Sequence, residues 1–114
     1  MTNNPLVSII ITNYNYGQFL EQAIESALNQ TYSNIEVIVI DDKSTDNSEE
    51  ILQKYAKKDK RLRFYKNDKR LGATGAAQKG VEIANGKFFT FLAADDFYEP
   101  DFIECSVKEM LLHP

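Results

Sequence analysis

Two runs of β-branched residues, Leu6-Val7-Ser8-Ile9-Ile10-Ile11 and Ile35-Glu36-Val37-Ile38-Val39-Ile40, constrain what this chain can fold into more than any other feature. Neither alternates cleanly between apolar and polar residues. Strands of that kind are apolar on both faces, the pattern of a parallel sheet with helices packed over it. A third run, Phe88-Phe89-Thr90-Phe91-Leu92, reads as a further buried strand that ends abruptly at Asp95-Asp96.

The segments between these runs have helical period. From about Gln18 to Gln30, Leu20, Ala23, Ile24, Ala27 and Leu28 fall on one face. A second helix is expected to start at an N-cap on Ser44 or Thr45, with Glu49 and Glu50 in its first turn, and to run to about Lys58. Ile51, Leu52 and Tyr55 form its inner face. Arg61 to Tyr65 alternates and reads as a short strand near the sheet edge. A third helix, carrying Val81 and Ile83, follows the small-residue stretch 71–77, with Asn85-Gly86 as its C-cap. A last helix opens at Glu99-Pro100-Asp101, with Phe102, Ile103, Val107, Met110 and Leu111 as its apolar face. Strand and helix alternate four times, which implies one α/β domain over residues 1–114 with right-handed crossovers.

Ligands on open sheets of this kind bind beyond the carboxyl ends of the strands. Those ends carry Thr12-Asn13-Tyr14, Asp41-Asp42, Asn67-Asp68 and Asp95-Asp96. Their convergence is a stronger signal than any one pair, because adjacent carboxylates repel unless a cation or donors share the charge. There is no G-x-G-x-x-G after the first strand and no Walker lysine motif. One histidine and one cysteine exclude a structural zinc site of the usual ligands. Carboxylates with hydroxyls and amides suit Mg2+ or Mn2+ bound together with phosphate oxygens. Tyr14 or Tyr16 can stack on a base, and Asp41 or Asp42 can accept from a base N–H or a ribose hydroxyl. These groups together describe a metal-bridged nucleoside diphosphate.

A net charge of -4 argues against nucleic acid as a partner. The cluster Lys54, Lys57, Lys58, Lys60, Arg61 and Arg63 follows a helical pattern and reads as a solvated helix end. Cys105, the single cysteine, is expected to be a small buried hydrophobe. Met1 to Pro5 lacks the basic start and apolar core of a signal peptide, and no apolar run is long enough to span a bilayer.

Four segments in order resemble the family 2 inverting glycosyltransferases with the GT-A fold: Val7–Asn15, Ala27–Tyr32, Ile38–Asp46 and Phe91–Asp96. The resemblance covers essentially the whole chain. It implies a Rossmann-like, mostly parallel sheet of about four strands with flanking helices, and a donor site for a nucleotide sugar, most often a UDP sugar. Thr12 and Tyr14 would lie at the nucleobase, with Asn13 also in the nucleotide site; Asp42 would bond the uracil with Asp41 beside it, and Asp95 would reach the ribose or diphosphate. Asp95 or Asp96 would hold the metal. Three positions depart from the pattern: Ala93 replaces the first carboxylate of an Asp-x-Asp-Asp motif, Lys43 a glycine, and Ala77 an arginine. The family's acceptor half, with its catalytic base, follows the last helix. The resemblance therefore implies that these residues are the donor-binding half of a longer enzyme whose base lies beyond residue 114. A saccharide or lipid-linked acceptor, a cytoplasmic location at the inner membrane face, and self-association through uncovered strand faces follow from the same reading. The competing expectation is a non-catalytic nucleotide-binding or scaffold module with this fold.

Overall fold

The structure, a computed structural model, describes residues 4–113; Met1 to Asn3 and Pro114, which belong to the leader and chain-end expectations, lie outside the described residues. The elements are β1 (Val7–Asn13), α1 (Gly17–Leu28), β2 (Ile35–Asp41), α2 (Ser48–Lys58), β3 (Leu62–Lys66), α3 (Gly72–Ile83), β4 (Phe88–Ala93) and α4 (Phe102–Leu112). All strand pairs are parallel, in the order β3-β2-β1-β4. The register sets Thr12 level with Ile40 and with Ala93, so three strands end on one line.

Both faces of β1 and β2 are apolar because both are covered. On one face Ile9, Ile11, Val37 and Val39 pack with Leu20, Ala23 and Ile24 of α1, Leu52 of α2 and Ile103 and Val107 of α4. On the other, Ile38 and Ile40 pack against Ala76 of α3. Each fully buried Val, Leu or Ile among them contributes about 1.5–3 kcal/mol. α3 lies very close to the sheet: a Cβ on Gly80 would stand 2.4 Å from Cγ2 of the fully buried Ile10.

Four sequence expectations change. α2 starts at Ser48, not at a cap on Ser44 or Thr45, because residues 42–47 are held by the neighbouring loop. Asn85-Gly86 is not a left-handed C-cap: α3 ends at Ile83, Asn85 N donates to Glu36 (2.6 Å), and Gly86 N donates to Ser8 Oγ (2.9 Å). Gly86 is required there by close approach, since a Cβ would meet the Ser8 backbone nitrogen at 2.7 Å. β4 is an edge strand with one open face, so Phe89 and Phe91 are exposed rather than buried. Cys105 is exposed, because α4 buries only the stripe of Ile103 and Val107. No described helix is long and apolar enough to cross a membrane.

Candidate functional site

Alternation along the strands decides which polar groups face which side. In β2, Val37 and Val39 point to the α1–α2 side, and Asp41 follows them. Its carboxylate is buried there, accepting from Asn13 Nδ2 (2.8 Å), Ser44 N (2.9 Å) and Ser44 Oγ (2.7 Å). Ile38 and Ile40 point to the α3 side, and Asp42 continues that row. The structure therefore separates the two adjacent carboxylates: Asp41 braces the loops, while Asp42 lines a cavity. Asn13 shares the side of Asp41, and its Oδ1 is buried without a partner among the described residues. Such an orphan acceptor carries a desolvation cost of about 1–3 kcal/mol.

The loops after β1 and β2 are stitched together. Asn15 N donates to Ser44 Oγ (2.9 Å), Thr45 N donates to Asn15 Oδ1 (2.7 Å), and Gly17 N donates to Asp46 Oδ2 (2.8 Å). Asn15 and Lys43 make these turns with positive φ, 58° and 66°. Lys43 thus adopts the left-handed geometry that suits glycine, so the turn survives at the cost of strain.

Asp42 is enclosed by four donors. Oδ1 accepts from Asn67 Nδ2 (2.9 Å) and Leu71 N (2.8 Å); Oδ2 accepts from Arg70 Nε (3.0 Å) and Gly72 N (3.0 Å). The left-handed φ of Gly72, 82°, follows a right-handed Leu71 and turns consecutive N–H groups onto the carboxylate, a small anion nest. Lys79 Nζ donates to Asn67 Oδ1 (2.8 Å), which orients that amide with its NH2 toward Asp42. Burial by itself would raise the Asp42 carboxyl; these donors outweigh it and hold the group below the usual carboxylate range.

Asp42 opens onto a cavity of about 340 Å3 at the strand ends, whose walls include Thr12, Tyr14, Arg70, Ala93 and Asp95. Arg70 was not singled out from the sequence. Its guanidinium carbon lies 3.4 Å from the centre of the Tyr14 ring. Tyr16 also lines the cavity and meets Phe19 edge-on. Ala93 presents a methyl group to this cavity, where Ala94 turns into the core. Asp95 reaches the cavity; Asp96 does not line it, and its Oδ1 accepts from the next residue's N–H, Phe97 N (2.8 Å). No group of three or more His, Cys, Asp or Glu side chains converges to hold a metal among the described residues. A larger hollow of about 420 Å3 lies between α1 and residues 97–100, away from the strand ends. Its acidic wall, Glu21 and Glu25, is engaged with Tyr55, so the smaller cavity is the chemically equipped one.

Residues 8–114 match glycosyl transferase family 2. The chain belongs to that family. An uncharacterized glycosyltransferase of Haemophilus influenzae is 45% identical over 109 residues, 96% of this chain and 44% of that protein. The UDP-Glc:alpha-D-GlcNAc-diphosphoundecaprenol beta-1,3-glucosyltransferase WfaP of Escherichia coli is 45% identical over 93 residues, 82% of this chain and 36% of that protein. S. aureus TarS 1-349 in complex with UDP superposes with a TM-score of 0.86 at 25% identity, over 94% of this chain and 32% of that one. The fold of this family 2 member is the GT-A fold that the sequence resemblance implied, and the chain spans less than half the length of these relatives.

Proposed function

We propose that this chain is the donor-binding half of a glycosyltransferase that moves a sugar from a UDP sugar to a hydroxyl of a saccharide or lipid-linked acceptor, with inversion. The observation that carries the reading is the shared cavity of Tyr14 and Asp42 at the strand ends. Tyr14 offers a ring face for a base to stack on, and Asp42, held ionised, offers only acceptors, so it selects a base edge with an N–H such as that of uracil. The names of the relatives support the same donor class: WfaP uses UDP-Glc, and TarS 1-349 is complexed with UDP. Thr12, Asn13 and Asp95 line the same cavity, and in this reading Thr12 and Asn13 belong to the nucleotide site and Asp95 serves the ribose or diphosphate.

Of the two carboxylates expected to hold the metal, Asp95 is the one that reaches the cavity, while Asp96 keeps one oxygen on Phe97 N; the hard oxygens of Asp95 suit Mg2+ or Mn2+, with phosphate oxygens and water completing the shell. When bound, such a cation neutralises charge on the departing diphosphate. The residues of this chain bind and orient the donor; the base that takes the acceptor proton belongs to the part of the enzyme beyond residue 114. A cytoplasmic site of action belongs to this proposal.

Calorimetric titration of UDP tests it, in Mn2+ and then in EDTA, with the wild-type chain, Tyr14→Ala and Asp95→Asn/Asp96→Asn. UDP is expected to bind in Mn2+ and to lose about tenfold or more in each variant and in EDTA. Equal affinity for wild type and Tyr14→Ala would reject the base site.

A further inference from the structure

Arg70 occupies the position that the proposed base requires. A base bound here has to stack on Tyr14 and donate to Asp42 at the same time. Arg70 already does both: its Cζ lies 3.4 Å from the Tyr14 ring centre, and its Nε donates to Asp42 Oδ2 at 3.0 Å. A separation of 3.4 Å is van der Waals contact, so nothing fits between the two groups. Asp42 has no acceptor position to spare, because four donors fill about four lone-pair sites. Two of those donors are backbone N–H groups and the third is the buried Asn67. The fourth, Arg70, is half exposed and carried on a flexible stem in the loop between β3 and α3. It is the one donor that can leave at little cost.

Charge gives the displaced guanidinium a destination. The cavity wall holds two carboxylates, Asp42 and Asp95, and Arg70 is the one cationic side chain in it among the described residues. A diphosphate entering this cavity meets like charge that a single divalent cation offsets only in part, and the planar fork of arginine matches phosphate oxygens.

We propose that Arg70 is an exchangeable counter-charge: the base takes its place on Tyr14 and Asp42, and the released guanidinium pairs with the diphosphate of the same ligand. Binding is then an exchange of partners rather than entry into an open seat. The proposal rests on the reading that the base sits at Tyr14 and Asp42. It makes opposite predictions for ligands with and without phosphate, which a merely structural ion pair would not.

The test measures the affinities of uridine and UDP, in constant Mn2+, for wild type, Arg70→Ala and Arg70→Gln. Arg70→Ala clears the seat, so uridine should bind about threefold tighter or more. The same change removes the diphosphate partner, so UDP should lose its advantage over uridine by about tenfold. Arg70→Gln, which keeps a donor and loses the charge, should lose the UDP advantage with little gain for uridine. Unchanged or weaker uridine binding to Arg70→Ala would overturn the displacement, and an unchanged UDP-to-uridine ratio would overturn the pairing with diphosphate. Tyr14→Ala separates the two levels. If it binds uridine as wild type does, or if wild type binds neither ligand, the base site itself is wrong and the exchange falls with it.

Discussion

At the scale of single residues, Asp42 sets the character of the site, and its ionisation is measurable as stability. Its carboxyl is held low in the folded chain, whereas in the unfolded chain it titrates near about 4. The stabilisation from its donors is therefore complete above about pH 4 and is lost as pH falls toward the folded value. Urea unfolding midpoints measured between pH 7 and pH 2.5 should show wild type losing more stability than Asp42→Asn over that interval. Asp42→Asn should be the less stable protein at pH 7. Lys43 offers a second test, because its φ of 66° is strained for any residue with a Cβ. Lys43→Gly relieves about 1–2 kcal/mol of strain, offset by the extra freedom of glycine in the unfolded chain. A net gain of about 1 kcal/mol is expected from the same unfolding experiment. Much of the residue-level picture was legible in sequence: Tyr14, Asp42 and Asp95 line one cavity, as their places at strand ends implied. Asp41 and Asp42 could not be told apart by identity, since they are equal in chemistry. Period-two counting from Val37 and Val39 would have separated them, placing Asp41 on the α1–α2 side and Asp42 on the α3 side. Arg70 left no such mark, because it lies in an irregular loop whose path is fixed by Asp42 and Asn67.

At the scale of elements, α3 is the piece that shapes the cavity. It begins at the nest around Asp42 and stays near the sheet because Gly80 lets it rest on Ile10. Alanine is the better helix former, so propensity by itself favours Gly80→Ala. The contact at 2.4 Å reverses that sign, since Ile10 is fully buried and cannot yield. A loss of about 1–3 kcal/mol in chemical unfolding is expected for Gly80→Ala, with weaker UDP binding as the start of α3 shifts. Helix and strand identities followed from period and from β-branching. The ends of α2 and α3 did not, because they are set by partners distant in sequence: Asn15 for the loop before α2, Ser8 and Glu36 for the turn after α3. Local cap signals compete poorly with hydrogen bonds that an adjacent loop supplies.

At the scale of the whole molecule, one face of the sheet is covered across all four strands by α1, α2 and α4, whereas the other face is left open at β4. β4 forms one edge, and the exposed rings of Phe89 and Phe91 meet edge-on 5.7 Å apart on a face that α3 does not reach. A parallel edge strand beside exposed aromatic rings invites pairing. Sedimentation velocity across a concentration series should show self-association of the 114-residue chain, and Phe89→Lys/Phe91→Lys should return it to monomer with unfolding stability nearly unchanged. A monomeric wild type at all concentrations would refute this. The pattern of residues along the chain determined the parallel α/β sheet, its strand order in sequence and the edge that bears the polar clusters. Those properties depend on period and on which residues shun water, and both are written locally along the chain. Only the tertiary structure decided that the Asp42 carboxylate is fully engaged by four donors, that Arg70 lies on Tyr14, and that β4 is left with an open face. Each of these is a matter of which distant groups meet, and packing settles that after the local pattern has been spent.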